Sequence, residues 1–116
     1  MISRFNEQGH RTKEQAFGGH GIVQFQDIFT PEQTNGRFST FAVITLMPGD
    51  SIGEHPHTEN GEIYYMLQGI GTIIDDGVES QLKPGDAQYC ADGHTHGMRN
   101  DTATPIMYLA AVVANK

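Results

Sequence analysis

Cysteine is almost absent from this chain, because Cys90 is the only one among 116 residues. An intrachain disulfide is therefore excluded, and so is a zinc site built on a pair of cysteines. The polar N-terminal stretch, MISRFNEQGHRTKEQ, also lacks the apolar core of a signal peptide. We therefore expect a cytoplasmic protein in which Cys90 is a small buried core residue.

Basic residues and long apolar runs are also scarce. Seven Lys and Arg stand against 14 Asp and Glu, which gives a net charge of -7, and the basic residues form no cluster. A nucleic-acid partner is not expected, because binding to phosphates requires clustered positive charge. No apolar run approaches the roughly 20 residues that a membrane-spanning helix needs, so no membrane partner is expected either.

Helical periodicity is missing as well. No stretch repeats apolar residues every 3.6 positions over the length of a helix. The best helix candidate is residues 30–36, TPEQTNG, with Thr30 as a cap and Pro31 at the first helical position. It would form one or two turns at most.

Turn residues and short β-prone segments dominate the chain instead. Fourteen glycines and five prolines separate segments that alternate in polarity or are rich in β-branched and aromatic residues. This pattern predicts an all-β fold of short strands within one domain, residues 1–116, which begins with a polar arm at 1–15. Asp76 and Gly77 predict a tight hairpin. Strands are expected at 22–29, 37–47, 62–68, 70–75, 78–82, 87–90, 95–100 and 106–114.

Three histidines and one glutamate are spaced like ligands of a single metal ion. His55 and His57 are two positions apart, so an extended chain projects both side chains to the same side. Glu62 follows after a four-residue turn, and His96 must arrive from a different strand. Three imidazoles and one carboxylate suit a divalent first-row metal, namely Mn, Fe, Co, Ni or Zn.

Two gapped motifs frame these four residues. Residues 49–69 fit G-x5-H-x-H-x4-E-x6-G at every fixed position, and residues 85–100 fit G-x5-P-x-G-x2-H-x3-N except that Ala91 replaces the proline. The chain thus resembles the cupin family, in particular its small single-domain members. The resemblance implies a jelly-roll β-barrel with an internal metal held by His55, His57, Glu62 and His96. It also implies a homodimer paired through an N-terminal strand, for which residues 16–29 are the candidate.

Other side chains are candidates for the surroundings of the metal. Tyr64 and Met98 each lie one strand step from a predicted ligand and are expected near the pocket wall. Tyr64 and His94 are the two candidates for a catalytic acid or base, although the turn at Gly93 favours the rim or solvent for His94. The glycine-rich loop at 17–21 can fold over the mouth of the barrel.

The predicted site favours small anions. Three neutral imidazoles, one carboxylate and a divalent ion carry a net charge of about +1, which attracts a small anionic chelator. One hypothesis is a metal-dependent enzyme acting on a small carboxylate or sugar acid, as a dioxygenase, decarboxylase, isomerase or lyase. The other is a non-enzymatic module that binds or senses a small molecule. A positioned acid or base would favour the enzyme, and its absence would favour the binding module.

Overall fold

Ten β-strands and two single-turn 3-10 helices make up the computed structural model, which describes residues 1–116. The 3-10 helices are Phe5–Glu7 and Ala16–Gly18. The strands are β1 (Gly9–Glu14), β2 (Ile22–Phe29), β3 (Phe38–Leu46), β4 (Ser51–Pro56), β5 (Asn60–Gln68), β6 (Gly71–Asp75), β7 (Val78–Leu82), β8 (Ala87–Cys90), β9 (Thr95–Arg99) and β10 (Ile106–Ala114).

The strands form two antiparallel sheets. The larger sheet has the order β1-β2-β3-β10-β5-β8, and the smaller has the order β4-β9-β6-β7. The predicted all-β jelly roll is confirmed by this arrangement. The hairpin between β6 and β7 also forms as predicted, with positive φ angles of 48° at Asp76 and 81° at Gly77.

The apolar core fills one end of the space between the sheets. Alternate side chains of each strand point inward, because successive residues of a strand face opposite sides. The fully buried members include Leu46, Met66, Ile73, Met98, Ile106 and Tyr108. Cys90 is buried and free, as expected. The opposite ends of β3, β5 and β10 line a cavity, and this cavity contains the candidate site.

The helix candidate at 30–36 forms a series of turns rather than a helix. Thr30 does cap the segment: its Oγ1 accepts a hydrogen bond from the Gln33 nitrogen at 3.3 Å, and Gln33 Oε1 accepts one from the Thr30 nitrogen at 2.8 Å. The chain leaves the helical region at Asn35 and Gly36, whose φ angles are 53° and 74°. These two left-handed residues end the segment after about one turn.

The N-terminal arm and the stretch before the histidines hold strands that sequence patterns did not delimit. β1 lies within the predicted polar arm and pairs with β2, although all six of its residues are exposed. β4 carries His55 in the sequence SIGEHP, which lacks an apolar alternation.

No helix in the structure has the length and apolar character required to cross a membrane.

Candidate metal centre

The four predicted ligands converge in the interior. Each offers one ligand atom, and these atoms all lie within 4.8 Å of one another. All four residues are buried. His55 lies on β4 with His57 just beyond it, His96 lies on the neighbouring β9, and Glu62 lies on β5 of the other sheet. The cluster therefore bridges the two sheets.

A bulge in β4 turns the two histidines inward. The pairing of β4 with β9 shifts register between Ile52 and His55. Ile52 is buried and Glu54 is exposed, so without the shift Glu54 would take the inward position of His55. Gly97 of β9 makes room for the bulge, since a Cβ there would lie 3.0 Å from the Ile52 oxygen and the Glu54 nitrogen.

Hydrogen bonds to carbonyl oxygens fix the tautomer of all three imidazoles. Each Nδ1 lies 2.7 or 2.8 Å from such an oxygen, in the pairs His55–Gly53, His57–Asn60 and His96–Gln88. A carbonyl oxygen can only accept, so each Nδ1 carries the proton. Each Nε2 then presents a lone pair toward the centre of the cluster, as a metal-binding histidine does.

When all three rings are neutral, no proton lies between the inward-facing atoms. The Nε2 atoms lie 3.5, 3.1 and 2.8 Å from Glu62 Oε1, for His55, His57 and His96 respectively. The Nε2 atoms of His57 and His96 are only 3.2 Å apart. Lone pairs and a carboxylate facing one another at such distances call for a cation between them. The donor set fits a divalent first-row metal.

The pKa shifts agree with this charge arrangement. Burial opposes ionisation of Glu62, but the three imidazoles around its Oε1, which donate hydrogen bonds to it when protonated at Nε2, outweigh burial and hold the pKa of Glu62 well below its usual range. The hydrogen bond to Glu62 raises the pKa of His57 against an opposing effect of burial. Burial lowers the pKa of His96, which is the most deeply placed of the three. The carboxylate is therefore ionised and His96 is held neutral.

A cavity of about 180 Å³ opens beside the cluster. His55, His57 and Glu62 form one wall, and Arg11 and Lys13 of β1 contribute two cations. Most of the remaining wall is apolar and is formed by Ala16, Phe17, Phe25, Ile44, Ile52 and Val112. The site thus combines a metal-ligand cluster, an apolar lining and positive charge.

Neither candidate for a catalytic acid or base lines this cavity. Tyr64 is completely buried, and its ring stacks on His96 with the centroids 4.4 Å apart. Burial raises the pKa of Tyr64 well above its usual value. The His94 side chain is 55% exposed, and its Nδ1 lies 2.6 Å from Asp76 Oδ2. Met98 likewise packs in the core instead of the cavity wall.

The sequence predicted only part of the surroundings of the four ligands. Phe17 stacks on His55 with the ring centroids 4.2 Å apart, so the glycine-rich loop does reach the site, while His20 of the same loop is exposed. Arg11 and Lys13 are two positions apart in β1, which was the only signal that both could face the same side. Nothing in the sequence indicated that Asn60 and Gln88 would form hydrogen bonds with the imidazoles.

Comparison with known proteins agrees with the fold and the ligand cluster. The model of the cupin domain matches residues 42–112. The oxalate-binding protein of Thermotoga maritima is 33% identical over 113 residues, which cover 97% of this chain and 93% of that protein. The quercetin 2,3-dioxygenase of Bacillus subtilis is 39% identical over 84 residues, which cover 72% of this chain and 23% of that protein.

A solved structure has nearly the same architecture. The crystal structure of a predicted oxalate decarboxylase from Thermotoga maritima superposes with a TM-score of 0.92 at 31% identity, covering 98% of this chain and 99% of that chain. The two motifs, the antiparallel jelly roll and these likenesses lead to one conclusion, which is that this chain belongs to the cupin family.

Proposed function

We propose that this protein binds a divalent first-row transition metal and, through it, a small dicarboxylate of the size of oxalate. The observation that carries the proposal is the convergence of three Nε2 lone pairs on an ionised, buried carboxylate. His55, His57, Glu62 and His96 would hold the ion. When bound, the ion would supply a Lewis-acid centre for carboxylate oxygens.

The size of the cavity supports a small ligand. Its volume is about 180 Å³. A two-carbon dicarboxylate such as oxalate fits in this volume with room left for water, whereas a three-ring flavonol such as quercetin is larger than the cavity. The relative named as an oxalate-binding protein matches this chain over nearly its whole length, which supports the same ligand class.

The composition of the cavity wall favours binding over catalysis. Apart from the candidate ligands, its only ionisable side chains are those of Arg11 and Lys13. Tyr64 lies behind His96, and His94 lies at the surface, so neither is placed to transfer a proton to a molecule in the cavity. A module that binds, stores or senses a small dicarboxylate is therefore the better supported of the two functions predicted from the sequence.

The test is to load the purified protein with Mn²⁺, remove free metal by gel filtration, and measure both metal content and oxalate binding by calorimetry. We expect one ion per chain and oxalate binding that depends on it. His57→Ala and Glu62→Ala should lose the ion and remain folded, as judged by circular dichroism. His94→Ala is the matched control and should retain both metal and oxalate.

Two outcomes would contradict the proposal. Failure to retain any of the first-row divalent metals at stoichiometric level would remove the metal centre. Release of formate and carbon dioxide from oxalate by the loaded protein would replace the binding role with an enzymatic one.

We also propose that two copies pair through the outer face of the larger sheet. Three outward side chains of β5, namely Ile63, Tyr65 and Leu67, are 41%, 42% and 46% exposed, and Tyr89 of β8 is 59% exposed. β3, β10, β5 and β8 together present a face of roughly 20 by 30 Å, on the order of 600 Å². A symmetric pair would thus bury about 1,200 Å², which is the lower end for stable interfaces.

This placement differs from the N-terminal segment at 16–29 that the sequence suggested. β2 is hydrogen-bonded on both sides, to β1 and to β3, so its backbone has no free edge for a partner. The side chains of β1 are all exposed, and those directed away from the cavity, such as His10 and Thr12, are polar. The apolar half of the sheet is the better dimer face.

A further inference from the structure

Two basic side chains that are not candidate metal ligands line one side of the cavity. Arg11 and Lys13 both line it from β1, an edge strand with no neighbour beyond it. They occupy alternate positions, so they point to the same side of the strand. Their partners across the sheet, Phe25 and Val23, are buried between the sheets.

Only one of these two cations is available to a ligand. Arg11 forms a two-point ion pair with Asp27 at 2.9 and 3.2 Å, and its guanidinium carbon lies 3.9 Å from the centre of the Phe25 ring. Asp27 therefore neutralises the charge of Arg11. Lys13 makes no ion pair, and its ammonium lies over the ring of Phe17 at 4.6 Å from the centroid.

Phe17 connects Lys13 to the metal ligands. The Phe17 ring contacts the Lys13 ammonium and stacks on the imidazole of His55 at 4.2 Å. Phe17 adopts φ 52° and ψ 38°, a left-handed conformation that costs a non-glycine residue energy. Strained backbone conformations cluster at functional sites, where the surrounding structure holds them in place.

We propose that Lys13 forms an anion subsite that makes the cavity selective for dianions over monoanions. The inference rests on the proposed metal and dicarboxylate function and adds the residue that selects the ligand by charge. The metal with its four ligands carries about +1, and the unpaired ammonium of Lys13 adds +1, so the two together balance a dianion. Oxalate matches this charge, whereas a monoanion leaves one positive charge without a partner.

The chemistry of a chelated dianion suits this arrangement. A dicarboxylate that uses one oxygen of each carboxylate on the metal leaves its other oxygens for the cavity wall. An ammonium is the donor for such oxygens, because hydrogen bonds between charged groups are the stronger ones. The contact that Lys13 gives up to make this bond, its position over the Phe17 ring, is a weak one at an exposed site.

The experiment compares two probes on the Mn²⁺-loaded protein. Oxalate is a dianion, and oxamate is a monoanion of nearly the same shape in which an amide replaces one carboxylate. We expect wild type to bind oxalate more tightly than oxamate. Lys13→Met should weaken oxalate binding about tenfold and leave oxamate binding nearly unchanged, as expected for loss of one charge-assisted bond.

Controls separate the subsite from the metal centre. Lys13→Arg keeps the charge and should restore most of the preference for oxalate. Lys83→Met removes a lysine from the exposed turn before β8, away from the cavity, and should behave as wild type. All variants should retain the same Mn²⁺ content, because Lys13 is not a candidate ligand.

Each outcome is decisive. If Lys13→Met binds oxalate as tightly as wild type does, the subsite is refuted while the dicarboxylate function stands. If loaded wild type binds neither probe, the proposed function fails and the subsite fails with it. If Lys13→Met weakens both probes equally, Lys13 does not select by charge and the proposal is overturned.

Discussion

Each imidazole of the candidate metal centre has one nitrogen committed to a carbonyl oxygen, and this commitment determines how the centre responds to protons. With Nδ1 protonated, the neutral ring offers Nε2 to a metal, and a second proton at Nε2 blocks it. His57 and its hydrogen bond to Glu62 are therefore the point at which protons and metal compete.

Metal affinity should fall as the pH is lowered. In the protonated ring, the hydrogen bond from Nε2 to Glu62 raises the pKa of His57 above its ordinary value of 6.5, against the effect of burial, so the metal-free site takes up a proton at Nε2 as the pH falls. Binding the metal must displace that proton, which costs up to about tenfold in affinity for each pH unit below the pKa. Competition with a coloured chelator between about pH 5.5 and pH 8 measures this slope.

His94→Ala is the control for the pH prediction. The pKa of His94 is also raised, by its hydrogen bond to Asp76, but His94 lies outside the site. Its removal should leave the slope unchanged. An affinity that is constant over the whole pH range would mean that metal binding displaces no proton from His57.

The strain at Phe17 predicts an unusual order of stability for two truncated variants. Both Phe17→Ala and Phe17→Gly lose the stacking on His55, but only glycine adopts φ 52° without a steric cost. The glycine variant should therefore be more stable than the alanine variant by about 1 kcal/mol in urea unfolding. At Thr12, in an exposed extended strand, the same pair of substitutions should show the opposite order.

The loop that carries Phe17 is held against β4 by contacts between backbones. Ser51 donates its backbone hydrogen to the His20 oxygen at 2.8 Å, and Ser51 Oγ accepts a hydrogen bond from the His20 nitrogen at 2.8 Å. A Cβ at Gly53 would clash with the carbonyl oxygen of Phe17 and would lie 3.0 Å from the Gly19 nitrogen. Glycine at position 53 is what lets the loop lie on the strand.

Gly53→Ala should release the loop. Displacing Phe17 from His55 exposes a good chymotrypsin site, and cleavage after Phe17 should become about tenfold faster if the loop is weakened by roughly 1.4 kcal/mol. Gly9→Ala is the matched control, because a Cβ there has no neighbour within 4 Å. Equal cleavage rates for the two variants would show that the loop does not depend on this close approach.

Strand patterns predicted most of the elements, and the reasons for the exceptions are physical. β5 and β10 have buried and exposed residues that the sequence makes apparent, and His55, His57, Glu62 and His96 follow from motif spacing. β1 has no buried residue, so its sequence GHRTKE carries no alternation that could reveal it. Arg11 and Lys13 of β1 face the site because of the register in which β1 pairs with β2. That register depends on long-range pairing, which local sequence patterns do not encode.

The hydrogen-bond partners of the imidazoles were hidden for a related reason. Gln88 reaches His96 because β8 lies beside β5, and this neighbour relation arises from the order of strands in the larger sheet. Asn60 is close to His57 in sequence, but only the turn between β4 and β5 aims its side chain at the ring. Spacing identifies the ligands, whereas the fold selects the groups that orient them.

The assembled barrel should form dimers that depend on the outer face of the larger sheet. Leu67→Arg places a charge in the proposed interface, on the outer side of β5, and should give a monomer in sedimentation velocity runs, because an unpaired buried charge is costly. Val78→Arg, at an exposed position of the smaller sheet, should leave the dimer intact. If Thr12→Arg in β1 gives monomers and Leu67→Arg does not, the N-terminal strand is the interface.

The three histidines lie in or directly after strands of the smaller sheet, and Glu62 lies in the larger sheet. An ion bound to all four would therefore cross-link the two sheets. Because only the folded chain brings these groups together, unfolding would have to release the ion, and folding stability would rise with the logarithm of the free metal concentration. When the metal is scarce, a larger fraction of the protein would be unfolded and open to proteases. The cellular concentration of the protein would then follow the supply of the metal.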